Sequence, residues 1–299
     1  MTAEEYIGDL KSRIKVEPSE KENFFRLKYG DNYKQLIISN RDYMNQFLLN
    51  PLLQVLDKKE KEKLSTTIVD AVPLDKIRAY GIKVNTEEYA VVFNERLLGL
   101  ISAYNEIRLV SLKGLYESNQ YKGNFAKYFA PLIDSYLTPN SNEALPLYSY
   151  EQLSETDSLK ASLLTIAGEQ FILAHELSHI LLGHFESTTD KQRRYKYGAS
   201  NTSQEYEYAA DIKALKWIKR LIKANAHKIS LEMHVEIFVL FHLIECNLGI
   251  PSRDNSHPSA LERLINLKDN CAVHFDAQGI KFMQEMIKNC QDVESFKMF

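Results

Sequence analysis

The sequence predicts an α+β chain that is predominantly helical, with one small β-sheet. Two observations carry that prediction. Apolar residues at helical spacing recur through the second half, whereas residues 88–93 (EYAVVF) are the best concentration of the aromatic and β-branched residues that favour strands. The chain has 299 residues, 37 Lys+Arg against 40 Asp+Glu, a net charge of −3 and 44% hydrophobic residues, which is an ordinary globular composition. That length can bury one large core or two modest ones. The charge balance gives no reason to expect a nucleic acid or an anionic membrane as the main partner.

The amino-terminal residues, MTAEEYIGDLKSR, are acidic where an export signal needs a basic start followed by an apolar stretch. Cys246, Cys271 and Cys290 are odd in number and widely spaced, so a cytoplasmic chain with reduced thiols is expected. Residues 57–63 (DKKEKEK) read as a solvated helix face, and 81–84 (GIKV) as a strand partner for 88–93, which places the sheet around residues 81–93. Asn94 is placed to cap a helix in which Leu97, Leu98, Ile101, Tyr104, Ile107 and Leu109 recur before Gly114. Residues 121–137 look helical with a break at Pro131. The loop-like stretch 139–146 (PNSNEALP) suggests a division near residue 150. On that division, residues 1–150 form a mixed α/β region of open role, and residues 151–299 a helical region that carries the chemistry.

In the second region, Ser158 to Leu182 is apolar almost all round from Leu163 onward, as expected of a buried helix, and Gly183 is a natural stop. Thr202 to Glu205 matches a capping box that opens a helix through about Ala224. Ser230 can cap a third helix ended by Gly249 and Pro251, and Pro258 a fourth through about Lys268. The apolar stretch from Val235 to Ile250 is too short and too polar to span a bilayer.

Inside the first of these helices lies His175-Glu176-Leu177-Ser178-His179, an HExxH pattern. Residues four apart lie on one helical face about one turn from each other, so both imidazoles can converge on one cation while Glu176 faces the adjacent side. Burying these three polar groups in an apolar helix is costly unless a divalent cation compensates the carboxylate and uses both imidazoles. A chance match in a chain of this composition is expected roughly one or two per cent of the time, so the pattern indicates zinc. A catalytic zinc takes three protein ligands and leaves a fourth position for water. His184, past the helix-ending Gly183, suits the rim of the site or a place behind a ligand. Glu207, in Glu207-Tyr208-Ala209-Ala210-Asp211, is the stronger third ligand, because the capping box assigns Glu205 to the helix start and leaves Glu207 to face the metal. Asp211, one turn further on, can accept the outer N–H of a ligating histidine, and Ala209 and Ala210 allow close approach of the two helices. Ser256 to Arg263 (SHPSALER) adds His257 at a helix start and Arg263 in its first turns, donors suited to the oxyanion that develops on a peptide carbonyl.

Taken in order, HELSH, EYAAD and HPSALER make the sequence resemble the gluzincin metallopeptidases of the HtpX and CAAX-prenyl-protease type, whose pattern is HExxH, ExxAD and a later HPxxxxR. The resemblance covers roughly Ser162 to Leu267. It implies a gluzincin-like core with an active-site helix pair, zinc held by His175, His179 and Glu207, water activated by Glu176, and a transition state assisted by His257 and Arg263. Those relatives are typically embedded in membranes, whereas this sequence offers no spanning helix, so a soluble cytoplasmic form is implied. In length, solubility and its HExxH the chain is also similar to the Lit-type phage-exclusion peptidases.

The expected function is a zinc-dependent endopeptidase acting on a protein or peptide substrate, with no nucleic acid and no membrane insertion. The alternative is a zinc-binding sensor or scaffold without catalysis; Glu176, which no structural zinc site needs, favours the enzyme. Residues 88–93 read as a core strand, with a second reading as an edge strand on which an extended substrate pairs. Residues 191–197 (KQRRYKY) read as a solvated loop, with a second reading as a patch that steers an acidic substrate. Substrate identity and oligomeric state are left open.

Overall fold

Three strands, β1 (Thr67–Val72), β2 (Ala79–Lys83) and β3 (Tyr89–Asn94), form a sheet in the order β1-β3-β2. The computed structural model describes residues 1–13, 39–74, 76–118, 133, 153–185, 202–225, 229–248, 253–254 and 257–271. β3 runs parallel to β1 and antiparallel to β2, with Val91 opposite Val69 on one side and Gly81 on the other. All six residues of β3 are buried. Tyr89, Val91 and Phe93 join the main core, while Ala90 and Val92 join Ile7 and Val72 in a smaller cluster on the opposite face. The reading of 88–93 as an edge strand is therefore corrected: its unbroken apolar run is that of a central strand covered on both faces. The edges are β1, mostly buried, and β2, whose residues are all half-buried. β1 goes beyond the strands read from the sequence, because the buried Asp70 interrupts its apolar pattern. That carboxylate is held by Lys11 Nζ at 2.9 Å and Arg41 Nε at 3.0 Å.

Helix α1 (Ala3–Arg13) packs against the smaller cluster. Residues 40–55 form α2, α-helical over Asn40–Tyr43 and Asn50–Val55 and π-helical over Met44–Leu49. The wide turn has a local cause. Pro51 has no N–H for the carbonyl of Phe47 four residues earlier, and that oxygen instead accepts Gln170 Nε2 at 2.9 Å. Met44, Leu48 and Leu52, each four apart, stay fully buried on one face. The charge run is helix α3 (Lys58–Leu64), opened by a capping box between Asp57 and Glu60; its Glu60 also anchors Lys213 Nζ at 2.8 Å. Helix α4 (Glu95–Ser118) follows β3 directly, with Asn94 Oδ1 accepting from Arg96 N at 2.8 Å, and continues through Gly114.

Helix α5 (Glu155–Leu181) is the centre of the molecule, capped by Ser154, and nearly every residue from Leu164 to Ile180 is buried. Helix α6 (Thr202–Asn225) lies beside it. Ala210 and Ala214 are fully buried and permit the close approach, whereas Ala209 is half-buried. The third helix expected from Ser230 is two, α7 (Leu231–Val235) and α8 (Ile237–Leu248). They join at Glu236, whose carboxylate forms an ion pair with Arg108 of α4. Two short strands, β4 (Arg253–Asp254) and β5 (His257–Pro258), pair antiparallel ahead of helix α9 (Ala260–Cys271). This helix begins after Pro258 because Ser259 is its cap: Glu262 N donates to Ser259 Oγ at 3.2 Å, and Glu262 Oε2 accepts from Ser259 N at 2.9 Å.

The architecture is thus α+β and predominantly helical, with Phe93, Leu100, Phe171, Trp217 and Phe238 sharing one core. Among the described residues, no helix is long and apolar enough to cross a membrane. The expected break at Pro131, the loop 139–146, the basic loop 191–197 and the side chains of Cys246, Cys271 and Cys290 lie outside the described residues.

Candidate metal centre

His175 and His179, one turn apart on α5, converge with Glu207 of α6 because the small residues of α6 bring that helix close to α5. His175 Nε2 lies 3.0 Å from His179 Nε2. Glu207 closes the triangle, with Oε2 3.3 Å from His175 Nε2 and Oε1 3.5 Å from His179 Nε2. A tetrahedral ion with bonds of about 2.0–2.1 Å needs donors about 3.3 Å apart, and the three separations bracket that value. All three residues are buried, and their donor atoms lie within 4.8 Å of one another, so the set can hold a metal ion.

The electrostatics agree with the geometry. Burial and the Arg263 charge depress the His175 imidazole, yet Asp211 and Glu207 outweigh them and carry it to about 9. Burial and the neighbouring His175 push His179 down to about 3. A donor set of this kind attracts one positive charge into its centre and resists a second proton.

Both imidazoles are held from behind. His175 Nδ1 donates to Asp211 Oδ1 at 2.8 Å. Asp211 is fully buried and gripped by Arg263, with Nε to Oδ2 at 2.8 Å and Nη2 to Oδ1 at 2.6 Å. Burial alone would raise the Asp211 pKa; Arg263 and His175 outweigh it and hold the carboxyl below its ordinary range. The Arg263 guanidinium is engaged with Asp211 through Nε and Nη2, lies 3.1 Å from His175 Nδ1, has Nη1 3.7 Å from Glu207 Oε2 and sits over the Phe238 ring at 5.0 Å, so it braces the Asp211–His175 pair.

Behind His179, Nδ1 meets Nδ1 of His184 at 2.7 Å. The helix ending brings it there. Gly183 adopts φ 73°, its N–H reaches Ile180 O at 3.1 Å, and His184 N–H reaches His179 O at 3.0 Å. That pair of bonds is a Schellman motif, which folds the residue after the glycine back onto the last helical turn.

Glu176 is half-buried among fully buried neighbours, and its Oε2 accepts the Gly81 N–H of edge strand β2 at 2.7 Å. Glycine at 81 has a steric reason: a Cβ there would stand 3.0 Å from the Phe185 ring. Burial, then Glu207, raise the Glu176 pKa against the opposing His175, Gly81 N–H and Arg263, leaving it above the ordinary carboxylate range. His257 lies in β5, which packs against α6, and not at the start of a helix; its side chain lies outside the described residues.

The structure thus brings together His175, Glu176, His179, Glu207, Asp211 and Arg263. It adds Gly81, Phe185 and Tyr206, which sequence analysis did not single out. An isolated glycine in the strand GIKV was a usable signal for close backbone approach, whereas nothing local marks Phe185 or Tyr206. The family model described as Peptidase U49 matches residues 105–283, a span that includes all of these except Gly81. Neither curated proteins nor solved structures give a match.

Proposed function

The chain belongs to the Peptidase U49 family, and from that premise we propose that it is a zinc-dependent endopeptidase of protein substrates, with His175, His179 and Glu207 as ligands and Glu176 as general base. The observation that carries this reading is the convergence of three buried donors beside a half-buried glutamate. Two imidazoles and a carboxylate suit zinc better than calcium or magnesium, which prefer oxygen shells. Bound there, the ion supplies polarisation of the scissile carbonyl and acidification of water.

The protein's own groups do the rest. Glu176 accepts a proton from the attacking water and passes it to the departing amine nitrogen, so the carboxylate is regenerated in each turnover. Asp211 keeps the His175 proton on Nδ1 and Nε2 available, and Arg263 keeps Asp211 ionised. His257 is the donor assigned to the developing oxyanion, a role supported by the packing of β5 on the Glu207 helix. Residues 79, 81 and 83 of β2 turn their main-chain groups away from β3, as the Gly81 bond to Glu176 illustrates, and this edge supports an extended substrate pairing alongside the base.

Glu176→Gln tests the reading. The variant is expected to retain one equivalent of zinc while cleavage falls by at least about 10²-fold, scored as new protein termini in cells carrying the parent and absent with the variant. Full activity in Glu176→Gln would remove the base, and with it the proposed mechanism.

A further inference from the structure

We propose that His184 is a positioning residue for the ligand His179, holding that imidazole through its outer nitrogen as Asp211 holds His175. The proposal rests on the zinc reading above. His179 turns Nε2 toward His175 and Glu207, so zinc held there would leave its ring proton on Nδ1. That proton is donated to His184 Nδ1 at 2.7 Å, and His184 therefore accepts with a lone pair and carries its own hydrogen on Nε2. The two ligating imidazoles are thus backed by different groups, one by a carboxylate and one by a neutral ring.

The placement follows from the chain itself. His179 is the third residue from the end of α5, and the Schellman ending at Gly183 brings the residue after that glycine onto that position. A histidine five residues after the HExxH pattern, preceded by glycine, lands on the second ligand for that reason. Its ring is then fixed in turn, stacked on Tyr206 at 4.1 Å and 25°, and Tyr206 immediately precedes Glu207. One imidazole accordingly touches the second ligand directly and bears on the start of the helix that carries the third.

The test measures zinc affinity of the full chain by chelator competition in three variants, with thermal midpoints recorded in excess chelator to follow folding separately. His184→Phe keeps a ring against Tyr206 but has no acceptor, and is expected to lose about 10–100-fold in zinc affinity with its chelated midpoint unchanged. His184→Ala should lose at least as much. His184→Asn, whose amide oxygen can stand where Nδ1 does, should bind close to the parent. Parent-like affinity in His184→Phe overturns the proposal, as does an Asn variant no tighter than Phe. A parent that takes up no zinc overturns the zinc reading itself and this proposal with it, which separates the two failures.

Discussion

Asp211 has no contact with water and no room for a second partner of the wrong kind: one oxygen accepts from His175 while both accept from Arg263. Asp211→Asn keeps the shape but turns one acceptor into a donor, which meets either an N–H of Arg263 or that of His175. We expect zinc affinity to fall about 10–100-fold, measured by chelator competition; affinity equal to the parent would show that His175 needs no such support. Gly81 carries a different constraint. Gly81→Ala pushes a methyl group to 3.0 Å from the Phe185 ring, about 1–3 kcal/mol of overpacking, felt at the Glu176 contact rather than among the ligands. Peptidase kcat/KM should drop with zinc content unchanged, and unchanged kinetics would mean the ring moves aside freely.

At the scale of elements, the local signals and their failures have identifiable causes. Helix α5 was readable because its apolar pattern and its Gly183 stop agree, whereas its start at Glu155, capped by Ser154, precedes the Ser158 read from the sequence. The joint at Glu236 was hidden because it rests on an ion pair with Arg108, 128 residues away. The π-helical turn of α2 depends on one proline and one distant amide. Gln170→Leu leaves the Phe47 carbonyl without that partner, a cost of about 1–3 kcal/mol in urea unfolding. In a Pro51→Ala background the same substitution should cost less, since alanine supplies the N–H that proline lacks. Equal losses in both backgrounds would separate the wide turn from Pro51.

For the molecule as a whole, the centre joins α5, α6, β2 and α9, so a cation bound there links most of the fold. Binding to the native state alone stabilises it by about 4 kcal/mol at a thousandfold excess over Kd. Zinc should therefore raise the thermal midpoint of the chelated protein by several degrees and excess chelator should reverse the gain. A midpoint indifferent to zinc at every concentration would sink the metal centre. The buried Arg263–Asp211 pair argues that the ligand set is braced before any ion arrives, since a bidentate fork fixes both partners.

Taken alone, the order of residues determined the helix of the candidate metal centre: two histidines and a glutamate within five positions lie together through helical periodicity, and EYAAD and SHPSALER announce their acids and bases locally. It also determined that helices predominate. Tertiary structure decided which edge of the sheet meets Glu176, where Arg263 points and which imidazole Asp211 backs. Those outcomes depend on groups far apart in the chain, 52 residues between Arg263 and Asp211 and 95 between Gly81 and Glu176. No local pattern encodes such pairings, because a side chain's partner is set by which buried faces pack together, not by its neighbours in sequence.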